Sequence, residues 1–263
     1  MKNIIFFIRC NLSFMYKLVT LCSIKYFRRE WVLSRVACLG NDVLKELEIK
    51  IPVINIQKGR SDIFTDWSSN RPTPKVSCIQ KFMARKDIIP LLFQQKLANR
   101  IFELNKPEFV ILDSYSELTD QKFMHTLEQW SFYANYGDVN FNHPKIWSQF
   151  DCVGLMPKEL IEDSYSRLFT KIRENFGCIP IIFIHYPKNL ENRAKFIDRA
   201  DSISASILKL KERFEPFYNI HVDENIVEHH QCDDFPYHYN KKTYNNIILQ
   251  ILKLDFFDKY LKK

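Results

Sequence analysis

Residues 179–214 read IPIIFIHYPKNLENRAKFIDRADSISASILKLKERF. The run 179–184 is short, continuous and apolar, and it ends at His185-Tyr186-Pro187. Residues 194–214 then place Ile197, Ile203, Ile207 and Leu208 at helical spacing. An unbroken apolar run suits a strand buried on both faces of a parallel sheet, and the amphipathic helix behind it suits the cover such a sheet needs. The alternation extends outward in both directions. Downstream, FYNIHV (217–222) ends at Asp223. Upstream, FVIL (109–112) ends at Asp113, PVINIQ (52–57) at Lys58-Gly59, and YKLVTL (16–21) at Cys22-Ser23. Helical patterns over 27–48, 88–104, 157–176 and 244–254 fill the gaps. About five mostly parallel strands alternating with helices predict a three-layer α/β/α domain. Such sheets hold ligands beyond the carboxyl ends of their strands. That rule selects Cys22, Ser23, Gly59, Arg60, Ser61, Asp113, Ser114, His185 and Asp223.

Composition removes several classes of function. Only 5 of 263 residues are glycine, and no two lie close together. Neither a dinucleotide fingerprint nor a phosphate loop can be written with them. The 38 basic and 31 acidic side chains leave a net charge of +7, but the basic residues are scattered and match no nucleic-acid motif, so no nucleic-acid partner is expected. Seven cysteines, an odd number with no CxxC pair, point to reduced thiols in a cytoplasmic protein. The apolar run 4–8 is too short for a membrane span or a signal-peptide core. Residues 1–14 therefore read as an extension outside a single domain over 15–263. The polar and aromatic stretch 115–156, with Trp130, Tyr133, Tyr136, Phe141 and Trp147, reads as an insertion or lid.

The densest cluster of reactive side chains is 229–239, HHQCDDFPYHY. In one reading, a carboxylate orients His238, which takes the proton of a serine hydroxyl past an early strand. Ser23 fits that position, and Ser13 is a weaker option. A second reading assembles a metal-dependent hydrolase from His229, His230, Asp233 and His238, with Cys232 and Asp234 as further donors, although the spacing matches no zinc pattern. The third is a polar loop with one hydrogen-bonded histidine, and no cofactor or metal is expected from it.

The order of these pieces resembles the SGNH/GDSL hydrolase superfamily. YKLVTLCS is similar to its first block, INIQKGRSDIF to its second, FVILDSYSELTD lies where its third belongs, and DDFPYHYNKKTYNNI is similar to its last. The final stretch and IPIIFIHYPKNLENRAKFIDRAD also resemble an uncharacterised SGNH-like group found with bacterial capsule and surface-polysaccharide genes. The resemblance implies a flavodoxin-like fold and a serine esterase or O-acyltransferase acting on a carbohydrate or acylated small molecule. It implies Ser23 as nucleophile, Asp234 and His238 as acid and base, and Gly59 in the oxyanion block. Arg60, Ser61, Ser114 and His185 would line the substrate site. The chain departs from the pattern in three places. Cys22 replaces the first-block glycine, no asparagine stands in the third block, and three residues separate Asp234 from His238. A catalytically degenerate glycan- or protein-binding module is the alternative these departures raise.

Overall fold

A computed structural model describes residues 2–66, 74–98, 100–229 and 238–261; within the first helix, side chains are described at Leu12 and from Met15 onward. The chain begins with α1 (Lys2–Phe27), then β1 (Val32–Arg35), α2 (Cys38–Glu46) and β2 (Val53–Asn55). Short helices α3 (Ile63–Asp66) and α4 (Val76–Ile79) precede α5 (Ile89–Gln95) and β3 (Phe109–Asp113). An inserted segment follows, with α6 (Tyr115–Thr119), β4 (Asp120–His125), β5 (Ser131–Asn135) and β6 (Phe150–Gly154). The chain closes with α7 (Ile161–Phe176), β7 (Ile181–Ile184), α8 (Ala194–Lys211), β8 (Phe217–Ile220) and α9 (Lys241–Leu252).

The main sheet is fully parallel, in the order β2-β1-β3-β7-β8. Counted within this sheet, the order is 2-1-3-4-5, and the chain reverses its direction of travel between β1 and β3. Helices cover both faces, α2 packing with α9 and α7 with α8, which gives the three-layer α/β/α architecture. Every residue of β3 and β7 is buried, as the apolar runs 109–112 and 181–184 require, with Asp113 buried at the end of β3. The insertion builds its own antiparallel sheet, β5-β4-β6. A separate apolar cluster that includes Phe82, Phe123, Trp130, Phe132 and Phe150 joins it to the segment around α4 and α5.

Two sequence expectations fail at the N-terminal end. Residues 16–21 are helical, not a strand, and they belong to α1, which runs through most of the stretch expected to lie outside the domain. Leu18, Leu21 and Ile24 dock on the core at intervals of three, a helical period, while Val19 faces out. The first strand instead lies inside the expected helix 27–48. All four of its residues are buried, Ser34 and Arg35 included. Arg35 is only 1% exposed; both terminal nitrogens of its guanidinium are partnered, while its Nε has no hydrogen-bond partner among the described residues. Its guanidinium donates to the carbonyls of Gly59 and Asp113, the Tyr165 hydroxyl and Glu117 Oε2, the last at 3.0 Å. Burial opposes its charge, but Glu117, Tyr165 and Asp113 outweigh burial and hold its pKa above the ordinary value.

Candidate active site at the switch point

A hollow of about 740 Å³ opens where the chain reverses between β1 and β3. Ala37 and Cys38 reach it from the end of β1, Gln57 and Lys58 from β2, and Tyr115 from β3. The insertion roofs it with Gln121, Asn135, Tyr136 and Asp138, while Arg193 and Lys195 enter from the start of α8. His238, three residues ahead of α9, completes the wall.

Cys38 is the first residue of α2, so its thiol stands at a helix N-terminus at the carboxyl edge of the sheet. Asp113 fixes that turn from the neighbouring strand. Its Oδ2 accepts the N–H of Ala37 at 2.8 Å and of Gly40 at 3.3 Å, and its Oδ1 accepts that of Tyr115 at 3.2 Å. Burial raises the Asp113 carboxyl to about 7, against the pull of Arg35 and the backbone donors. Gly40 is required for this close approach: a Cβ there would lie 2.5 Å from Val36 Cβ and 2.9 Å from Asp113 Oδ2. The Cys38 thiol is itself raised to about 11, first by burial and then by Asp113, Asp42 and Asp120, while Lys58 pulls it down.

Lys58 is held between two carboxylates of the insertion, Asp138 at 3.0 Å and Asp120 at 3.4 Å. Burial disfavours its charge, but the two acids prevail and keep it an ammonium. Arg85 pairs with Asp87 at 2.6 Å and reaches Asp138 at 3.5 Å. His238 is positioned by the turn that caps α9. Asn240 accepts the Thr243 N–H at 2.9 Å, and the Tyr239 N–H donates to the Tyr244 hydroxyl, which in turn donates to Asp42 on α2.

The other residues selected from sequence fall elsewhere or serve the scaffold. Ser23 is near the end of α1 and does not line this hollow; Ser13 lies on the same helix. Gly59 does sit at the sheet edge, with φ +134° that favours glycine, but its N–H donates to Asp120 Oδ2 at 3.3 Å and is spent. Arg60 is buried against Asp62 and donates to the Gly154 carbonyl, tying the insertion down. The Ser61 N–H donates to Glu117, and its hydroxyl meets that of Ser164. The Ser114 hydroxyl accepts the Tyr186 N–H. Asp223 accepts the Asn225 N–H in a short turn. His185 is at the sheet edge but lines a different hollow, beyond β7 and β8. Asp234, with His230, Cys232 and Asp233, lies outside the described residues. Among those described, no group of three or more His, Cys, Asp and Glu could hold a metal.

Of the expected site residues, the hollow therefore keeps His238 and adds Cys38, Lys58, Arg85, Tyr136, Asp138 and Arg193. The positional rule that chose Ser23 finds Cys38 once the first strand is placed at Val32–Arg35. The arrangement offers a thiol at a helix N-terminus, an imidazole in the same wall and four cationic side chains against two carboxylates among the lining residues. A scan against family models finds no match, and searches of curated proteins and of solved structures likewise return none.

Proposed function

We propose that the chain is an esterase or O-acyltransferase acting on a carbohydrate, with Cys38 in the role first assigned to Ser23 and His238 as its base. The observation that carries this reading is that one hollow, at the topological switch point, joins Cys38 at the start of α2 to His238. A thiol raised to about 11 is protonated at neutral pH, so the attack needs a base in the same step. His238 takes the proton as Sγ adds to the acyl carbonyl, and returns it to the departing alkoxide. Water or a sugar hydroxyl then releases the acyl group from sulfur, with His238 again the base. Helix N-termini carry N–H groups without intrahelical partners, and Asp113 takes only those of Ala37 and Gly40. The N–H groups of Cys38 and Leu39 suit the developing oxyanion. Lys195, with Arg193 paired to Glu191 at 2.6 Å beside it, suits an anionic sugar. Tyr136, Phe141 and Trp147 form a stack at the rim, with ring centroids 4.0 and 5.3 Å apart, that suits a pyranose face.

The test is acyl trapping. The whole chain treated with p-nitrophenyl acetate should gain one acetyl group, mapped to Cys38 by peptide mass spectrometry. Cys38→Ala should abolish it, and His238→Ala should slow it on the order of 10²-fold. Equal acetylation of wild type and Cys38→Ala would sink the assignment.

A binding module is the second reading, favoured by the high thiol pKa and by the complete pairing of Lys58. It predicts no acetylation but saturable binding of anionic oligosaccharides, lost when Arg193 and Lys195 are replaced by methionine.

A further inference from the structure

The helix α1 is long, basic and clad on its outer side with large apolar side chains. Leu12, Met15, Tyr16, Val19, Tyr26 and Phe27 are all more than half exposed, Tyr16 at 74% and Phe27 at 75%. Their spacing is i, i+3, i+4, i+7, i+14 and i+15, which traces one stripe on an α-helix. The opposite side, carrying Leu18, Leu21 and Ile24, is already used to dock on the core, against α5. The exposed stripe is therefore an independent surface. Scattered exposed apolar residues are ordinary, whereas six on one face of a helix, interrupted by Ser23, mark a contact surface.

Charge decides what covers it. Residues 2–29 contain six basic side chains, Lys2, Arg9, Lys17, Lys25, Arg28 and Arg29, and no Asp or Glu. Lys17 is partly buried, its pKa lowered to about 8 by burial, and Lys25 lies 3.4 Å from Glu103. Arg28 and Arg29 are exposed immediately beyond Tyr26 and Phe27, an aromatic pair beside a basic pair. Lys17 and Lys25 lie on the docked side, so a second copy of α1 packed in parallel on this stripe would bring the exposed Arg28 and Arg29 together, with only Glu30 beside them to answer. No helix among the described residues is long and apolar enough to cross a membrane. A helix of this kind lies in the plane of the interface, with apolar and aromatic side chains among the acyl chains and Arg or Lys at the headgroups.

We infer that α1 is a membrane-surface helix that docks the protein on bilayers containing anionic phospholipid. The inference is independent of the chemistry proposed for Cys38. The surface is also linked to the hollow, because α5, on which α1 rests, contributes Leu91 to its wall.

Vesicle flotation of the full chain tests it. The protein should float with vesicles of phosphatidylcholine mixed with phosphatidylglycerol, and weakly or not at all with phosphatidylcholine alone. Tyr16→Glu/Val19→Glu should lower the bound fraction at least about tenfold with an unchanged circular dichroism melt, since both side chains are exposed. Arg28→Glu/Arg29→Glu, or high salt, should weaken binding in the same direction. Absence of flotation with the anionic vesicles overturns the inference, as does equal flotation of the Tyr16→Glu/Val19→Glu variant. A solution dimer that this variant converts to monomer also overturns it, by showing that a second copy covers the stripe.

Discussion

The hollow over β1, β2 and β3, about 740 Å³, is walled by ammonium, guanidinium and carboxylate groups, whereas the hollow over β7 and β8, about 230 Å³, is centred on a neutral imidazole. Both open on the carboxyl edge of one sheet, and both draw ionisable side chains out of water. In the first region, buried cations of the core meet acids supplied by the insertion. Arg35 of β1 meets Glu117, and Lys58 beyond β2 meets Asp120 and Asp138. In the second, His185 meets neutral groups. One tautomer satisfies both contacts: Nε2–H donates to Asn219 Oδ1 at 3.1 Å, and the Ser204 hydroxyl donates to Nδ1 at 2.9 Å. His221 stacks on the ring, with centroids 3.9 Å apart. Burial, and then His221, lower the His185 pKa to about 4. Burial thus preserves charge where a counter-ion is built in and extinguishes it where none is. The insertion is accordingly the half of the first site that keeps its cations charged.

The largest effect should come from breaking that charge pairing. Arg35→Met leaves Glu117 buried without its partner, and loss of one member of a buried pair typically costs about 3–5 kcal/mol. Chemical denaturation should show a loss of that order. Arg35→Met/Glu117→Leu should recover part of it, because the uncompensated charge is gone, while the Ser61 N–H still lacks its acceptor. A double variant no more stable than Arg35→Met would show that charge is not what holds the roof.

Next in size is the neutral imidazole. A histidine whose folded-state pKa is lowered from 6.5 to about 4 leaves the unfolded chain binding more protons across that interval. Its contribution is complete above pH 6.5 and lost as pH falls toward 4, and it amounts to about 3 kcal/mol at most. Urea midpoints measured from pH 7 to pH 4 should fall for the wild type and fall less for His185→Gln. The groups that line this hollow, Lys188, Asp201, His221 and Glu224, remain in both proteins, so the difference isolates His185. Parallel profiles would show that His185 is not buried neutral.

Gly40→Ala should cost about 1–3 kcal/mol, the usual range for overpacking, because the new methyl group meets Val36 and Asp113. It should also slow acetylation at Cys38, since Asp113 holds the turn from which the thiol projects. Unchanged acetylation would separate the cap from the site.

Four of the five main strands were legible because each lies in a short run rich in apolar residues, fully buried in β3 and β7 and half-buried in β2 and β8. The first was not, for a physical reason. Ser34 and Arg35 mark Val32–Arg35 as helical or surface chain, and only a network supplied from Gly59, Asp113, Glu117 and Tyr165 makes that arginine tolerable in a core strand. No local pattern announces partners 24 to 130 residues away. Meanwhile the Leu-Val-Thr of α1 has strand-like composition but helical burial. One misplaced strand moved the candidate nucleophile from the position of Cys38 to that of Ser23. His238 was legible as the histidine before the closing helix. Lys58, Arg85 and Asp138 were not, because their meeting depends on how the insertion folds back over the sheet.

The smallest expected effect sits at the outer edge of that roof. Trp147 is about half exposed and stacks on Phe141, which stacks on Tyr136. If charge pairing and the apolar cluster beneath hold the insertion, the rim stack contributes little to stability. Aromatic pairs add about 0.5–1.5 kcal/mol beyond burial, and exposure places this pair at the low end. Trp147→Ala should therefore shift the unfolding free energy by less than about 1 kcal/mol. Acceptor binding should respond differently, because a sugar ring laid on the stack loses its outer platform. The expected result is a raised KM for a saccharide acceptor with acetylation at Cys38 unchanged. A stability loss as large as that of Arg35→Met would reverse the ranking and make the rim, not the buried ion pairs, the fastening of the roof.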